Sequence, residues 1–156
     1  MAAQHLTNMR TIRKIIVHCT ANRPHCKMTL RDFRVHFQRQ FGTPYGYHYI
    51  IFEDGTVGQL TPDNIIGNHC RGHNADSIGV AYVGGLIADG VTQDTRTAAQ
   101  REAMQTLIFS LIDRYHCPVH GHSYYNHAKP CPCFEAEIYN RMYAARPKPS
   151  CSAPSL

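Results

Sequence analysis

The fold of this chain is organised around the stretch Lys14-Ile-Ile-Val-His-Cys-Thr20, a β-branched apolar run bounded by polar residues. A short run of this kind is typical of a buried strand. The run leads directly into His18, so the sequence places an imidazole at the end of that strand. A lone histidine in such a position is more often a hydrogen-bonded core residue than a ligand, and further donors are needed to change that interpretation.

The segments that follow alternate between strand and helix patterns. Apolar side chains in residues 97–116 recur at the spacing of one helical face, and Thr97 is placed to cap that helix. Further helices are predicted from Thr29 to Gly42 and over residues 134–145. The predicted strands cover residues 14–20, 47–52, 57–60, 77–83 and 119–121.

The order of these elements predicts the architecture. An alternation βαββ-β-α-β-α indicates an α/β fold, with a central mixed β-sheet flanked by helices. A chain of 156 residues is long enough for one domain with a sizeable hydrophobic core and is too short for two domains of ordinary size. We expect this domain to cover residues 13–145, between a flexible leader at 1–12 and a disordered tail rich in proline and serine at 146–156.

Composition excludes some classes of partner. Sixteen Lys and Arg against eleven Asp and Glu give a formal charge of +5, which suits an anionic polymer and equally well suits solubility alone. The sequence contains no cluster of basic residues with interleaved aromatics, so no nucleic-acid partner is expected. No apolar stretch approaches the roughly 20 residues that span a bilayer, so no membrane partner is expected.

The cysteines and the N-terminus bear on the compartment. Residues 1–13 are polar and mixed and lack the features of a signal peptide, so we expect the protein to be cytoplasmic as synthesised. Most thiols are then expected to be reduced and buried, with Cys131 as the exception. The seven cysteines are irregularly spaced, at positions 19, 26, 70, 117, 131, 133 and 151.

A second group of donors lies in the stretch His122-Ser-Tyr-Tyr-Asn-His-Ala-Lys-Pro-Cys-Pro-Cys-Phe134. One histidine and Cys131 from this stretch, together with His18, would give the two imidazoles and one thiolate of a catalytic zinc site. Such a site keeps its fourth position open for water. The prolines on both sides of Cys131 fix the backbone, so the ligand is held in a stiff loop.

Two alternatives within this stretch stay open. His122 follows a predicted strand and a glycine and is the favoured second histidine, while His127 lies only four residues before Cys131. Cys133 lies two residues beyond Cys131 and is a competing ligand. Four protein ligands would close the site and abolish catalysis.

Two further residues are candidates for amide hydrolysis. Zinc polarises a carbonyl and lowers the pKa of bound water to about 7. The developing oxyanion also needs a cation, and Lys129, two residues from Cys131, is the candidate; the alternative is an ordinary exposed loop lysine. Tyr47, which follows Gly46 at the start of a strand, is the candidate for a hydrogen bond to the water or oxyanion, although composition alone favours an ordinary strand aromatic.

These residues lie in motifs that resemble the zinc-dependent N-acetylmuramoyl-L-alanine amidases of type 2. That superfamily includes phage lysozyme-type amidases and animal peptidoglycan recognition proteins. The resemblance runs from about Ile15 to Phe134, and its motifs are specific only in combination. They are IVHCTAN at 16–22, GYHYIIFEDGT at 46–56, GNH at 67–69, NADSIG at 74–79 and KPCPCF at 129–134.

The resemblance implies a role for each candidate residue and a central mixed sheet flanked by helices. One departure is that the stretch from His122 to Cys131 is one residue longer than the family pattern. The implied roles are zinc ligands for His18, His122 and Cys131, catalysis for Tyr47 and Lys129, and the lining of a glycan–peptide groove for His69 and Asn74.

The implied activity is cleavage of the amide between N-acetylmuramic acid and L-alanine in bacterial peptidoglycan, with Zn²⁺ as cofactor. The expected partner is the glycan strand of peptidoglycan with its stem peptide. We expect the protein to be a monomer that acts on the cell wall after release or delivery. A phage-like lysin is favoured over wall recycling or a secreted effector. The alternatives are a non-catalytic recognition module, disfavoured because Cys131 and Tyr47 are both present, and a zinc amidase acting on another small amide.

Overall fold

Strands and helices alternate along residues 10–148, the part of the chain that the computed structural model describes. The strands are β1 (Lys14–Cys19), β2 (Tyr49–Ile51), β3 (Val57–Gln59), β4 (Ser77–Tyr82), β5 (Leu86–Ala88), β6 (Val91–Thr92) and β7 (Val119–Gly121). The helices are α1 (Leu30–Phe41), α2 (Ala98–Tyr115), α3 (His122–Tyr125) and α4 (Ile138–Ala145).

The main sheet has five strands in the order β3-β2-β4-β1-β7. Strand β1 lies between β4 and β7 and is parallel to both, β2 is parallel to β4, and β3 pairs antiparallel to β2 at the edge. The predicted α/β fold with a central mixed sheet is therefore confirmed. Parallel strands end at the same edge of a sheet, so the residues that follow β1 and β7 are brought together.

The apolar run of β1 is buried on both faces of the sheet. Ile15, Ile16 and Val17 have no exposed surface, as expected for a strand enclosed between two parallel neighbours in a covered sheet. Helix α2 packs on one face through buried residues that include Met104 and Ile108. Helix α1 packs near β2, where its Phe33 and Phe37 form a second cluster with Ile50, Leu60 and Val83.

Both long helices begin with the capping pattern that the sequence predicts. The Thr29 hydroxyl accepts from the backbone N–H of Asp32, and the Asp32 carboxylate accepts from the backbone N–H of Thr29. Thr97 and Gln100 form the same reciprocal pair at the start of α2. The buried Gln100 amide also donates to the carbonyls of Ile51 and Val83, so it ties α2 to the sheet.

Residues 10–12, the described part of the predicted flexible leader at 1–12, are packed against the domain. Ile12 is buried in the main core. The Arg10 guanidinium donates to the backbone carbonyls of Asp63 at 2.7 Å, Asn74 at 3.1 Å and Ser77 at 2.8 Å. Residues 10–12 therefore pack with the domain. The sequence did not indicate this, because the contacts are tertiary and leave no local pattern. Residues 1–9 and, in the predicted tail at 146–156, residues 149–156 lie outside the described range.

Two of the predicted elements are shorter in the structure, and two short elements were not predicted. The strand predicted at 47–52 forms only at 49–51, and the helix predicted at 134–145 begins at Ile138. The preceding residues make tight turns, with N–H groups of Ile138 and Tyr139 bonded three residues back. The β5–β6 hairpin and α3 were not predicted, because neither short segment has a clear apolar period. Within residues 10–148, no helix is both long and apolar enough to cross a bilayer.

Candidate metal centre and active site

Three predicted ligands converge at one end of the sheet. The ligand atoms of His18, His122 and Cys131 all lie within 4.8 Å of one another. The register of β1 and β7 pairs Val17 with Gly121, so the two histidines follow directly paired residues on adjacent parallel strands. Their ring centroids are 4.6 Å apart. Two imidazoles and a thiolate form a ligand set that zinc prefers.

The loop that carries Cys131 is fixed by main-chain hydrogen bonds. The N–H of Ser123 donates to the Cys131 carbonyl at 2.8 Å, and the Tyr82 hydroxyl donates to the Pro132 carbonyl at 2.8 Å. The N–H of Cys19 donates to the Cys131 sulfur at 3.2 Å. This N–H favours the thiolate, but the hydrogen-bonded Cys19 thiol and burial together raise the pKa of Cys131 above its ordinary value. The protein therefore fixes the position of this sulfur but does not by itself favour its charged form.

The histidine environment favours neutral rings, which are the forms that bind metal ions. Burial lowers the pKa of His18 well below its ordinary value, and the nearby His69, His122 and Lys129 shift it further in the same direction. Burial and then Lys129 lower the pKa of His122. A neutral imidazole keeps a lone pair on one ring nitrogen, so both residues are ready to act as ligands at neutral pH.

A hydrogen-bonded chain extends behind His18. The His18 Nδ1 atom is 3.8 Å from the Cys131 sulfur, and its Nε2 atom is 2.9 Å from Nδ1 of His69. The His69 Nε2 atom is 3.1 Å from the hydroxyl of Ser77, a fully buried residue. With Nδ1 of His18 facing the other ligands, the proton of that ring belongs on Nε2, where it is donated to His69. This chain fixes both the orientation and the tautomer of His18.

The converging side chains lie in a cleft of about 410 Å³. Tyr47 and Lys129 line this cleft together with the three candidate ligands. A neighbouring cavity of about 740 Å³ shares Phe41, Asn68, His69, His122 and Lys129 with it. The two spaces therefore form one elongated groove along the end of the sheet.

Tyr47 packs closely against the candidate ligands. Its ring centroid is 5.1 Å from that of His18, and Phe37 contacts it edge-on at 5.4 Å. Burial, followed by the thiols of Cys131 and Cys19, raises the pKa of Tyr47 above its ordinary value. The phenol therefore keeps its proton at neutral pH. Lys129 is exposed at the rim of the cleft, in a turn where its backbone N–H donates to the Asn126 carbonyl at 3.0 Å.

The two predicted groove residues also support the loop at 67–74. Asn74 lies on the wall of the larger cavity, and its side-chain oxygen accepts from the N–H groups of His69 and Cys70 at 3.0 and 2.9 Å. His69 lies on the walls of both spaces as well as behind His18. Both residues therefore border the groove, and both have a role inside the protein that the sequence did not indicate.

The two alternative ligands of this stretch, His127 and Cys133, lie outside the converging group. His127 is exposed in a turn and does not belong to the converging group. The Cys133 sulfur lies 3.9 Å from the Cys19 sulfur and 3.8 Å from the Gly85 carbonyl, and it is not in that group either. Sequence reasoning missed Cys19 as a contact of Cys131. Its only local indication was that it follows His18 directly.

Comparison with known proteins gives a consistent result. A sequence profile of the family described as N-acetylmuramoyl-L-alanine amidase matches residues 8–134. The endolysins of Enterobacteria phage T3 and Escherichia phage T7 are 33% and 32% identical over 135 residues, which cover 86% of this chain and 89% of each relative.

Solved structures share the architecture over most of the chain. The N-acetylmuramoyl-L-alanine amidase LysC from Clostridium intestinale URNW superposes with a TM-score of 0.72 at 25% identity, covering 88% of both chains. Bumblebee PGRP-SA superposes with a TM-score of 0.67 at 20% identity, covering 83% of this chain and 80% of that one, and this likeness concerns the fold alone. The profile match spans most of the sequence, and this chain therefore belongs to the N-acetylmuramoyl-L-alanine amidase family.

Proposed function

We propose that this amidase is a zinc enzyme that cleaves the bond between N-acetylmuramic acid and L-alanine in bacterial peptidoglycan. The observation that carries the proposal is the convergence of His18, His122 and Cys131 within 4.8 Å in an open cleft. The family profile supports the choice of bond. The presence of Cys131 and Tyr47 favours catalysis over recognition without cleavage.

The donor set fits a zinc ion. Zinc–nitrogen bonds of about 2.0–2.1 Å and zinc–sulfur bonds of about 2.3 Å place two tetrahedral ligand atoms roughly 3.6 Å apart. The observed distance from His18 Nδ1 to the Cys131 sulfur is 3.8 Å, so these two side chains need almost no adjustment. Three protein ligands also leave one tetrahedral position for water or substrate, as in catalytic rather than structural zinc sites.

The proposed mechanism divides the chemistry between the ion and the protein. A zinc ion held by His18, His122 and Cys131 would supply polarisation of the scissile carbonyl and a more acidic bound water. Tyr47, which stays protonated, donates a hydrogen bond to the oxyanion that develops on the carbonyl oxygen. Lys129 contributes a positive charge at the rim of the same cleft. His69 holds His18 in its ligating orientation through Nε2.

The elongated groove supports a polymeric substrate. We propose that a monomer binds the glycan strand with its stem peptide along the two joined cavities, with His69 and Asn74 on the wall. The net charge of +5 favours approach to an anionic wall polymer. Identity to phage endolysins over most of the chain supports action on the cell wall after release from the cytoplasm, as a phage lysin.

Digestion of purified sacculi tests the bond and the second histidine together. The zinc-loaded protein is expected to release stem peptides that begin with L-alanine and to leave intact N-acetylmuramic acid, as measured by mass spectrometry of the products. His122→Ala is expected to lose both stoichiometric zinc and this release. His127→Ala is the matched control and should keep both, because His127 is exposed outside the ligand group.

Products with a cleaved glycosidic bond, or cleaved within the stem peptide, would contradict the proposed function. Full activity of His122→Ala after thorough chelation would contradict the proposed site. Loss of zinc in His127→Ala instead would assign the second imidazole to the other histidine.

Replacement of Lys129 separates catalysis from metal binding. Lys129→Ala is expected to lower kcat about 10²–10³-fold, because one donor to the oxyanion is removed. Zinc content should stay unchanged, because Lys129 is not a ligand. Lys27→Ala, which removes another exposed lysine, serves as the control and should leave kcat unchanged. A normal kcat in Lys129→Ala, measured on soluble muropeptide, would remove this residue from the mechanism.

Replacement of His69 tests its positioning role. His69→Ala is expected to weaken zinc binding about 10–100-fold, because His18 loses the acceptor for its Nε2 proton. Competition with a chromophoric chelator measures the affinity, and the melting temperature of the metal-free protein reports any general loss of structure. His69→Gln keeps an acceptor and should recover part of the affinity. Unchanged zinc affinity in His69→Ala would leave this residue only its place on the groove wall.

A further inference from the structure

Two thiols beside the candidate metal centre, those of Cys19 and Cys133, do not act on the substrate in the proposed reaction. Cys19 ends β1, and Cys133 lies in the loop that carries Cys131. Their sulfur atoms are 3.9 Å apart, and neither belongs to the ligand group. We propose that Cys19 and Cys133 are a modification site, at which a low-molecular-weight disulfide such as oxidised glutathione converts the two thiols into an intramolecular disulfide.

The local geometry favours this bond without disturbing the ligand. A disulfide requires a sulfur–sulfur distance of about 2.05 Å, so the two atoms must approach by about 1.9 Å. The main chain around Cys133 is fixed, because its N–H donates to the Pro130 carbonyl at 2.7 Å and the Pro132 carbonyl accepts from Tyr82. We therefore expect the movement to fall on rotation of the two cysteine side chains, while the main chain at Cys131 stays held by the N–H of Ser123.

Both thiols are within reach of a small oxidant. Cys133 is partly exposed, and Cys19, although mostly buried, lines the cleft. In the first step the Cys133 thiol gives up its proton, its sulfur attacks one sulfur of oxidised glutathione to form a mixed disulfide, and one glutathione thiolate is released. The Cys19 sulfur then attacks the Cys133 sulfur and releases the second glutathione. The protein loses two electrons and two protons, and one glutathione disulfide becomes two glutathione thiols.

The new bond would brace the metal centre. It joins two positions that are 114 residues apart and connects the strand of His18 to the loop of Cys131. A crosslink that closes a long loop restricts the unfolded chain and so stabilises the folded one. Disulfides are reduced in the cytoplasm and persist in oxidising compartments, so the brace would form after the protein leaves the cell that makes it. Zinc retention rests on the proposed zinc site, whereas the linkage itself does not.

The test treats the full-length, zinc-loaded protein with oxidised glutathione and compares it with protein kept in dithiothreitol. Mass spectrometry is expected to show a loss of two hydrogen atoms before alkylation and two fewer alkylated thiols after it, relative to the dithiothreitol control. Fragmentation of the linked peptides is expected to join Cys19 to Cys133. The zinc content should stay the same. The melting temperature should rise by about 5–10 °C, as for a disulfide that closes a long loop.

Two variants complete the experiment. Cys133→Ser is expected to lose the linkage and the rise in melting temperature, whereas Cys117→Ser, which alters a buried cysteine elsewhere in the core, should keep both. Full alkylation of Cys19 and Cys133 in the treated wild-type protein would overturn the proposal. So would a link from Cys19 to Cys131 with loss of zinc, an accumulated glutathione adduct without the internal link, or a linkage that leaves the melting temperature unchanged. These readouts are independent of amidase activity.

Discussion

The parallel pairing of β1 with β7 is the constraint on which the rest of this structure depends. It pairs Val17 with Gly121, and each strand then delivers one histidine to the same edge of the sheet. The pairing is stable because β1 is a fully buried apolar strand between two parallel neighbours, with α2 packed on one face. The burial that stabilises the sheet also lowers the pKa of His18, so the same packing supports the sheet and keeps this candidate ligand neutral.

The groups around the ligands explain how the site can hold its geometry. His69 and Ser77 restrain His18 from behind, and the N–H of Cys19 restrains the Cys131 sulfur. These contacts come from three separate parts of the chain, all anchored on the central strands. A site built in this way has little freedom to rearrange, which is what catalysis by a metal ion and fixed side chains requires.

Sequence patterns predicted the elements whose causes are local. The apolar run of β1, the two capping boxes and the face of α2 all follow from residues close together in the chain. Arg10 was assigned to a leader because its partners, the carbonyls at 63, 74 and 77, are distant in sequence. Spacing identified the donor types but left both His122 and His127 as candidates, because the strand register that brings His122 beside His18 is not visible in the sequence. The contact from His69 to His18 is likewise tertiary, and no local pattern encodes it.

The most direct test of the central claim is X-ray absorption spectroscopy at the zinc edge of the zinc-loaded protein. The account predicts one zinc per chain with a single sulfur neighbour at about 2.3 Å and lighter neighbours, including two imidazoles, at about 2.0–2.1 Å. A spectrum without sulfur would show that Cys131 is not a ligand. A spectrum with two or more sulfur neighbours would show that Cys19 or Cys133 closes the site, and either result would contradict an open centre built from the ends of two parallel strands and one loop.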